Sequence, residues 1–243
     1  MASKSETGHA KNIANLKLFI TTATGLGVVY NPSNADLKIS NLNLIYDQSF
    51  ADQNKVNIGL APYTNVVAAR EAIFEPFKLE LTKIRRVFKA TKGVTLKQEQ
   101  DLMTIIRKYR GVRKTPKPKG DNPDELAKYH SVSQTSYDLR TNTFDSLIAF
   151  LENTPEYAPN EDQFKIATLN RLKQEMLDAT DAVNQAFTTL NSLRSNRNQT
   201  LYYAANNLVK IATEARNYTL AILNRNQSEY KVFNRLIFKK IST

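Results

Sequence analysis

A chain of 243 residues that is 41% hydrophobic has material for a sizeable core, while 7 Gly and 8 Pro are too few breakers for a sandwich or barrel. It has no Cys and two His, which excludes disulfides, thiolate nucleophiles and Cys-based zinc sites. The formal charge is +11, and the excess lies between Lys83 and Lys119, where 13 basic residues face only Glu99 and Asp101.

In chain order, the first twelve residues lack the apolar centre of a signal peptide, which predicts a cytoplasmic protein. A short apolar helix is expected over roughly 10–22. The run Leu16–Tyr30 contains two Gly and several Thr and falls short of the ~20 residues of a membrane span. A Tyr30-Asn-Pro turn follows, with Asn34 placed to cap the next helix. Apolar residues then recur with alternating three- and four-residue steps from Leu42 to Phe88, interrupted by Ser49, Asp52 and Arg70. Gly59, Pro62 and Pro76 predict a kink or break in that helix. A helix near Leu96–Tyr109 precedes the segment Arg113–Pro123, whose three prolines predict an exposed, mobile loop.

The string from Tyr30 to Asn43 reappears from Tyr157 to Asn170, with six identities in fourteen positions and no gap, at an offset of 127 residues. Ile13, Leu16, Phe19 and Ile20 correspond to Phe144, Leu147, Phe150 and Leu151 once a four-residue longer loop is allowed in the first copy. The chain therefore divides into a first helical repeat over 1–92, a basic Pro-containing linker over 93–133, and a second repeat over 134–243. In the second copy Asn160 is the expected cap. From Glu161 to about Asn224 there is neither Pro nor Gly, and a heptad-like pattern persists throughout. A continuous helix there would span roughly 95 Å at 1.5 Å per residue. The predicted fold class is all-α: a tandem-duplicated, elongated long-helix bundle or coiled coil, with the long helices paired about a pseudo-twofold axis.

No phosphate-cradling glycine loop, nucleophile elbow or metal-ligand spacing is complete. The Glu6-Thr-Gly-His9 string has the spacing of half a di-iron motif, but His130 has Ala127 three residues before it and supplies no second half. No catalytic, cofactor-binding or metal residue is assigned and no cofactor is expected. Two polar features stand out. Arg70 and Arg197 occupy the same seam position of the two copies, either as a central anion site, as a register-setting polar pair, or as structural arginines reaching toward carboxylates such as Glu71 or Glu75. The second is a basic patch of Lys83, Arg85, Arg86, Lys89, Arg107, Lys108, Arg110, Arg113, Lys114, Lys117 and Lys119. It suits nucleic-acid phosphates, with Tyr109 stacking on a base, or an acidic protein surface.

The strings Ser5–Asn12, Tyr30–Asn34, Ser133–Tyr137 and Tyr157–Asn160 resemble those of an uncharacterised all-helical protein family of Bacteroidota bacteria, over essentially the whole chain. The resemblance implies a bacterial, stand-alone, non-enzymatic protein and carries no binding residue. The function expected is that of a structural or assembly protein whose partner is a second copy of the chain or another protein. Nucleic-acid binding through 83–119 is the alternative, and a membrane-active protein that inserts Leu16–Tyr30 is the third reading.

Overall fold

The computed structural model describes residues 8–112 and 136–241, and among these the fold is helical with no strand. Its helices are α1 (His9–Gly25), α2 (Ile39–Ala90), α3 (Leu96–Arg110), α4 (Tyr137–Glu152), α5 (Ile166–Asn198), α6 (Leu208–Ile222) and α7 (Ser228–Arg235). The loop predicted over Arg113–Pro123 lies outside the described residues.

Hydrogen bonds repeat at the offset found in the sequence. The Tyr30 hydroxyl donates to the Leu37 carbonyl at 2.7 Å, and the Tyr157 hydroxyl donates to the Phe164 carbonyl at 2.9 Å. Each bond closes a loop onto a 3-10 turn, Ala35–Leu37 or Asp162–Phe164, and each turn feeds a long helix that begins at Ile39 or Ile166. Burial raises both phenols, Tyr157 to about 12. Asn34 caps as expected, its side-chain oxygen accepting from the Asp36 amide at 3.0 Å. The second turn differs: it is capped at Glu161, without a side-chain bond, and not by Asn160.

The long segments reverse the expectation about where the chain breaks. α2 runs unbroken for 52 residues through Gly59, Pro62 and Pro76. Both prolines are exposed, so the carbonyls deprived of an amide partner face water. Gly59 faces the second copy closely: a Cβ there would sit 2.7 Å from Leu193 Cδ1. The long segment of the second copy, free of Gly and Pro from Glu161 to Asn224, is not a single rod. α5 ends in a π-helical turn, Gln199–Tyr203, and α6 starts anew at Leu208. Asn207 builds the break, accepting from the Lys210 amide at 2.9 Å and donating to the Ala204 carbonyl at 2.9 Å. The Lys210 ammonium serves the Ala205 carbonyl at 3.1 Å. Periodicity survived the break because Leu208, Ile211, Ala212 and Ala215 are buried on α6 against a different surface.

The chain forms two compact units, one of residues up to Tyr63 with those from Phe187 on, the other Thr64–Ala186. Each unit holds the short helix and front half of one copy with the back half of the long segment of the other. In the first, α2 and α5 run antiparallel, as Asp52 meets Thr200 at 2.8 Å and the Tyr63 and Phe187 rings lie 6.1 Å apart. Its core joins Leu16, Phe19 and Ile20 of α1 to Leu208, Ile211 and Phe233. Of the apolar run proposed for membrane insertion, Leu16, Phe19, Ile20, Ala23 and Tyr30 are buried in the core, while Leu18, Val28 and Val29 are exposed. No helix among the described residues is long and apolar enough to cross a membrane.

The second unit packs Phe74, Phe77, Leu81, Ile84 and Phe88 of α2 against Leu102, Ile106 and Tyr109 of α3 and Phe144, Leu147 and Leu151 of α4. A capping box between Thr95 and Gln98 starts α3, and Gly111, in the left-handed region at φ 66°, ends it.

Candidate functional site

Several cations of the basic patch are held by partners within the fold. Lys83 pairs with Glu80 at 2.6 Å, and Arg85 and Lys89 both approach Glu99 of α3 at 3.5 and 3.7 Å. Arg110, at the other end of α3, donates to the Lys78 carbonyl at 2.9 Å and to the Thr82 hydroxyl at 2.6 Å. Arg85, Lys89 and Arg110 fasten α3 antiparallel onto the end of α2, whereas the Lys83 pair lies within α2. Arg86, Arg107 and Lys108 have no partner among the described residues. Arg113, Lys114, Lys117 and Lys119 lie outside the described residues. Tyr109 is no base-stacking platform: it is 1% exposed, and its ring packs 5.2 Å from that of Phe77.

The two seam arginines sit at corresponding junctions, one in each unit, where a long helix meets the start of a short one. In the first unit Arg197 is buried, and its Nε and Nη2 donate to Asn198 Oδ1 at 3.1 and 2.9 Å. Burial lowers the Arg197 pKa, and neighbouring Arg194 adds to that. His9 Nδ1 is 2.8 Å from the Tyr202 hydroxyl, and burial together with Arg197 lowers the His9 pKa. The junction is closed by Asn12, which donates to the Lys239 carbonyl at 2.8 Å and accepts from the Lys239 amide at 3.2 Å.

The second unit fills the same positions differently. Arg70 corresponds to Arg197, Glu75 to Tyr202 and, with the four-residue loop allowance, Arg140 to His9. Arg70 pairs with neither Glu71 nor Glu75; its guanidinium lies 3.8 Å over the Tyr137 ring. Arg140 approaches the same ring at 5.9 Å and Glu75 at 3.9 Å. Glu75 is already held by Lys78 at 2.8 Å. Burial raises the Tyr109 pKa, with Arg140 opposing it and Glu75 adding to it.

Asp52, the seam acid of α2, is 4% exposed and fully engaged. Gln48, Lys55 and Thr200 donate to its carboxylate at 3.0, 3.1 and 2.8 Å. Burial works to raise its pKa, but these three hydrogen bonds outweigh it and hold the group below the usual carboxylate range. The positions equivalent to Asp52 and Thr200 are Ala179 and Ile73, so one polar pin replaces an apolar contact.

Duplication also produces paired grooves between each short helix and the front of its long helix. One, of about 400 Å³, is lined by Ala10, Ala14 and Lys17 of α1 and by Tyr46, Phe50 and Asn54 of α2. The other, of about 320 Å³, carries Thr141, Asp145, Lys173, Leu177 and Asp181 at corresponding places. A 2.6 Å ion pair from Lys173 to Asp145 spans the second groove, whereas in the first Tyr46 stands where Lys173 does and Lys17 lies 4.7 Å over its ring.

Sequence reasoning located Arg70, Arg197 and Asp52 by their polarity on an apolar seam. It missed Arg140 and Tyr137, which carry no mark in a one-dimensional pattern because the fold alone brings α4 to Arg70. No family model, curated protein or solved structure matches the chain.

Proposed function

We propose that the chain is a non-enzymatic structural protein that self-associates through the outward face of α2. The observation that supports this is a row at seven-residue spacing on that helix: Leu44, Ala51, Ile58, Asn65, Ala72 and Leu79, every one exposed. Leu44, Ile58 and Leu79 are 67%, 72% and 70% exposed. A solvated helix face is ordinarily polar. The duplicated copy supplies the control: the corresponding residues of α5 are Arg171, Asp178, Gln185 and Ser192, all exposed and all polar. Two helices of common origin thus present opposite chemistry to their surroundings.

The order of the row suits a second copy. In an antiparallel, twofold-related pairing centred on Ala51, Leu44 would meet Ile58 and Ala51 its own counterpart. Ala61, Ala68 and Ala69 beside the row are small enough for close helix approach. Sedimentation velocity across a wide concentration range tests the reading. Concentration-dependent dimers, lost in Ile58→Glu with helicity unchanged, are expected; a monomer at all concentrations would overturn it.

A second reading rests on Arg86, Arg107 and Lys108, cations without partners among the described residues. Nucleic-acid binding there would weaken with salt at a slope of roughly −0.9 per phosphate contacted. Titration of labelled duplex against the Arg107→Gln/Lys108→Gln variant checks it; binding that ignores salt or the substitutions removes it.

A further inference from the structure

We propose that the Arg70–Arg140–Tyr109 junction of the second unit is a binding site for an oxyanion, specifically a phosphate group. Three helices bring three donors to it. The Nε atoms of Arg70 and Arg140 and the hydroxyl of Tyr109 are enclosed, and none has a hydrogen-bond partner among the described residues. An enclosed donor without an acceptor destabilises a fold, and native chains rarely keep several in one place. Here they belong to α2, α4 and α3, so no single local accident of packing accounts for them.

Charge points the same way. Arg70, Arg140 and Lys78 are set against one carboxylate, Glu75, leaving two positive charges uncompensated within the group. Glu75 is bound by Lys78 at 2.8 Å, and its 3.9 Å separation from Arg140 is too long for a hydrogen bond. Arg140 follows Asp138 at the start of α4, and Asp138 is the acidic residue of that first turn, where the helix dipole favours an anion over a cation. The Tyr137 ring covers one face of the Arg70 guanidinium, so that cation can make hydrogen bonds only along its edge.

The other unit shows what the junction looks like when complete. There Asn198 accepts both the Nε and Nη2 donors of Arg197, and His9 and Tyr202 satisfy each other. Asn198 corresponds to Glu71, which is exposed and forms no ion pair with Arg70. His9 is replaced by a second arginine. The same fold position therefore has its donors met around a single arginine in one unit, and holds two arginines with unmet donors in the other. A phosphate supplies several acceptor oxygens and up to two negative charges, the complement of what is unmet.

Isothermal titration of the full chain with inorganic phosphate, and separately with phenyl phosphate, tests the site. Saturable binding of one equivalent is expected, weakened at least tenfold in Arg70→Gln and in Tyr109→Phe. Lys108→Gln, an exposed cation of α3, should bind as the wild type does. Tighter binding of phenyl phosphate would make the phosphate the handle of a larger ligand; equal binding would make the free anion the ligand. Thermal melts guard against misfolding: Tyr109→Phe, relieved of an unmet hydroxyl, should melt no lower than wild type without phosphate and gain less from its addition. Absence of binding, or weakening by Lys108→Gln equal to that by Arg70→Gln, would overturn the proposal.

Discussion

Tyr157 sits at 7% exposure with its hydroxyl committed to the Phe164 carbonyl, and Tyr30 makes the same bond in the other copy. Removing either hydroxyl leaves a buried carbonyl without its donor, so Tyr157→Phe should lower unfolding free energy by about 1 kcal/mol in urea titrations. The alkaline limb carries a signature. A folded-state pKa raised from 10.0 to about 12 means the stabilisation is complete below pH 10.0 and is lost as pH rises through that window. Wild type should therefore lose stability more steeply there than Tyr157→Phe. Asp52 works in the opposite sense. Its pKa is lowered, so its contribution is present above the ordinary carboxylate value and disappears as pH falls through the lowered one. Asp52→Asn should be less stable than wild type at neutral pH and show a shallower decline below about pH 4. Urea midpoints measured from pH 2 to 7 would check this; parallel curves would assign the acid limb to other carboxylates.

Among the helices, what was legible depended on the kind of signal. The duplication, the short helices and α3 were readable because identity, apolar period and capping residues coincide there. The break after α5 was not, since breakers were sought as Gly and Pro while the chain uses Asn207 and a π turn, residues that an unbroken helix also tolerates. Pro62 and Pro76 misled in the opposite direction, because their cost depends on whether the freed carbonyl reaches water, and on α2 it does. The break rests on the side chain of Asn207, so Asn207→Ala should cost about 1 kcal/mol, within the range of lost helix caps. Hydrogen exchange should then rise first in the opening turn of α6, around Leu208–Ile211. Uniform exchange across α5 and α6 would mean that packing of Leu208 and Ile211 alone fixes the turn.

For the molecule as a whole, duplication provides a comparison that neither copy offers alone. Features shared at the offset of 127 residues maintain the fold: the tyrosine bonds, the 3-10 turns, the starts of the long helices and buried Leu42 and Leu169. Features that differ inside a unit, such as the Asp52 pin and the Asn207 break, serve that unit alone, whereas differences on exposed helix faces are free of that duty. The apolar row of α2 belongs to this last class, so its residues should be replaceable without loss of the fold. Giving α2 the surface of α5, with Leu44→Arg, Ala51→Asp and Ile58→Gln together, places polar groups where all three side chains are already exposed. Each change should move stability by no more than about 0.5 kcal/mol. Self-association should nevertheless be abolished, because apolar contacts are removed and four charges, two arginines and two aspartates, must be desolvated in the pair. The reciprocal change on α5, Arg171→Leu with Gln185→Ile, should leave the sedimentation coefficient unchanged at low concentration and add a new associating surface at high concentration. Circular dichroism melts beside sedimentation velocity separate the outcomes. A variant that melts early shows that the row serves the fold, whereas one that melts normally and still dimerises places the interface elsewhere on the surface.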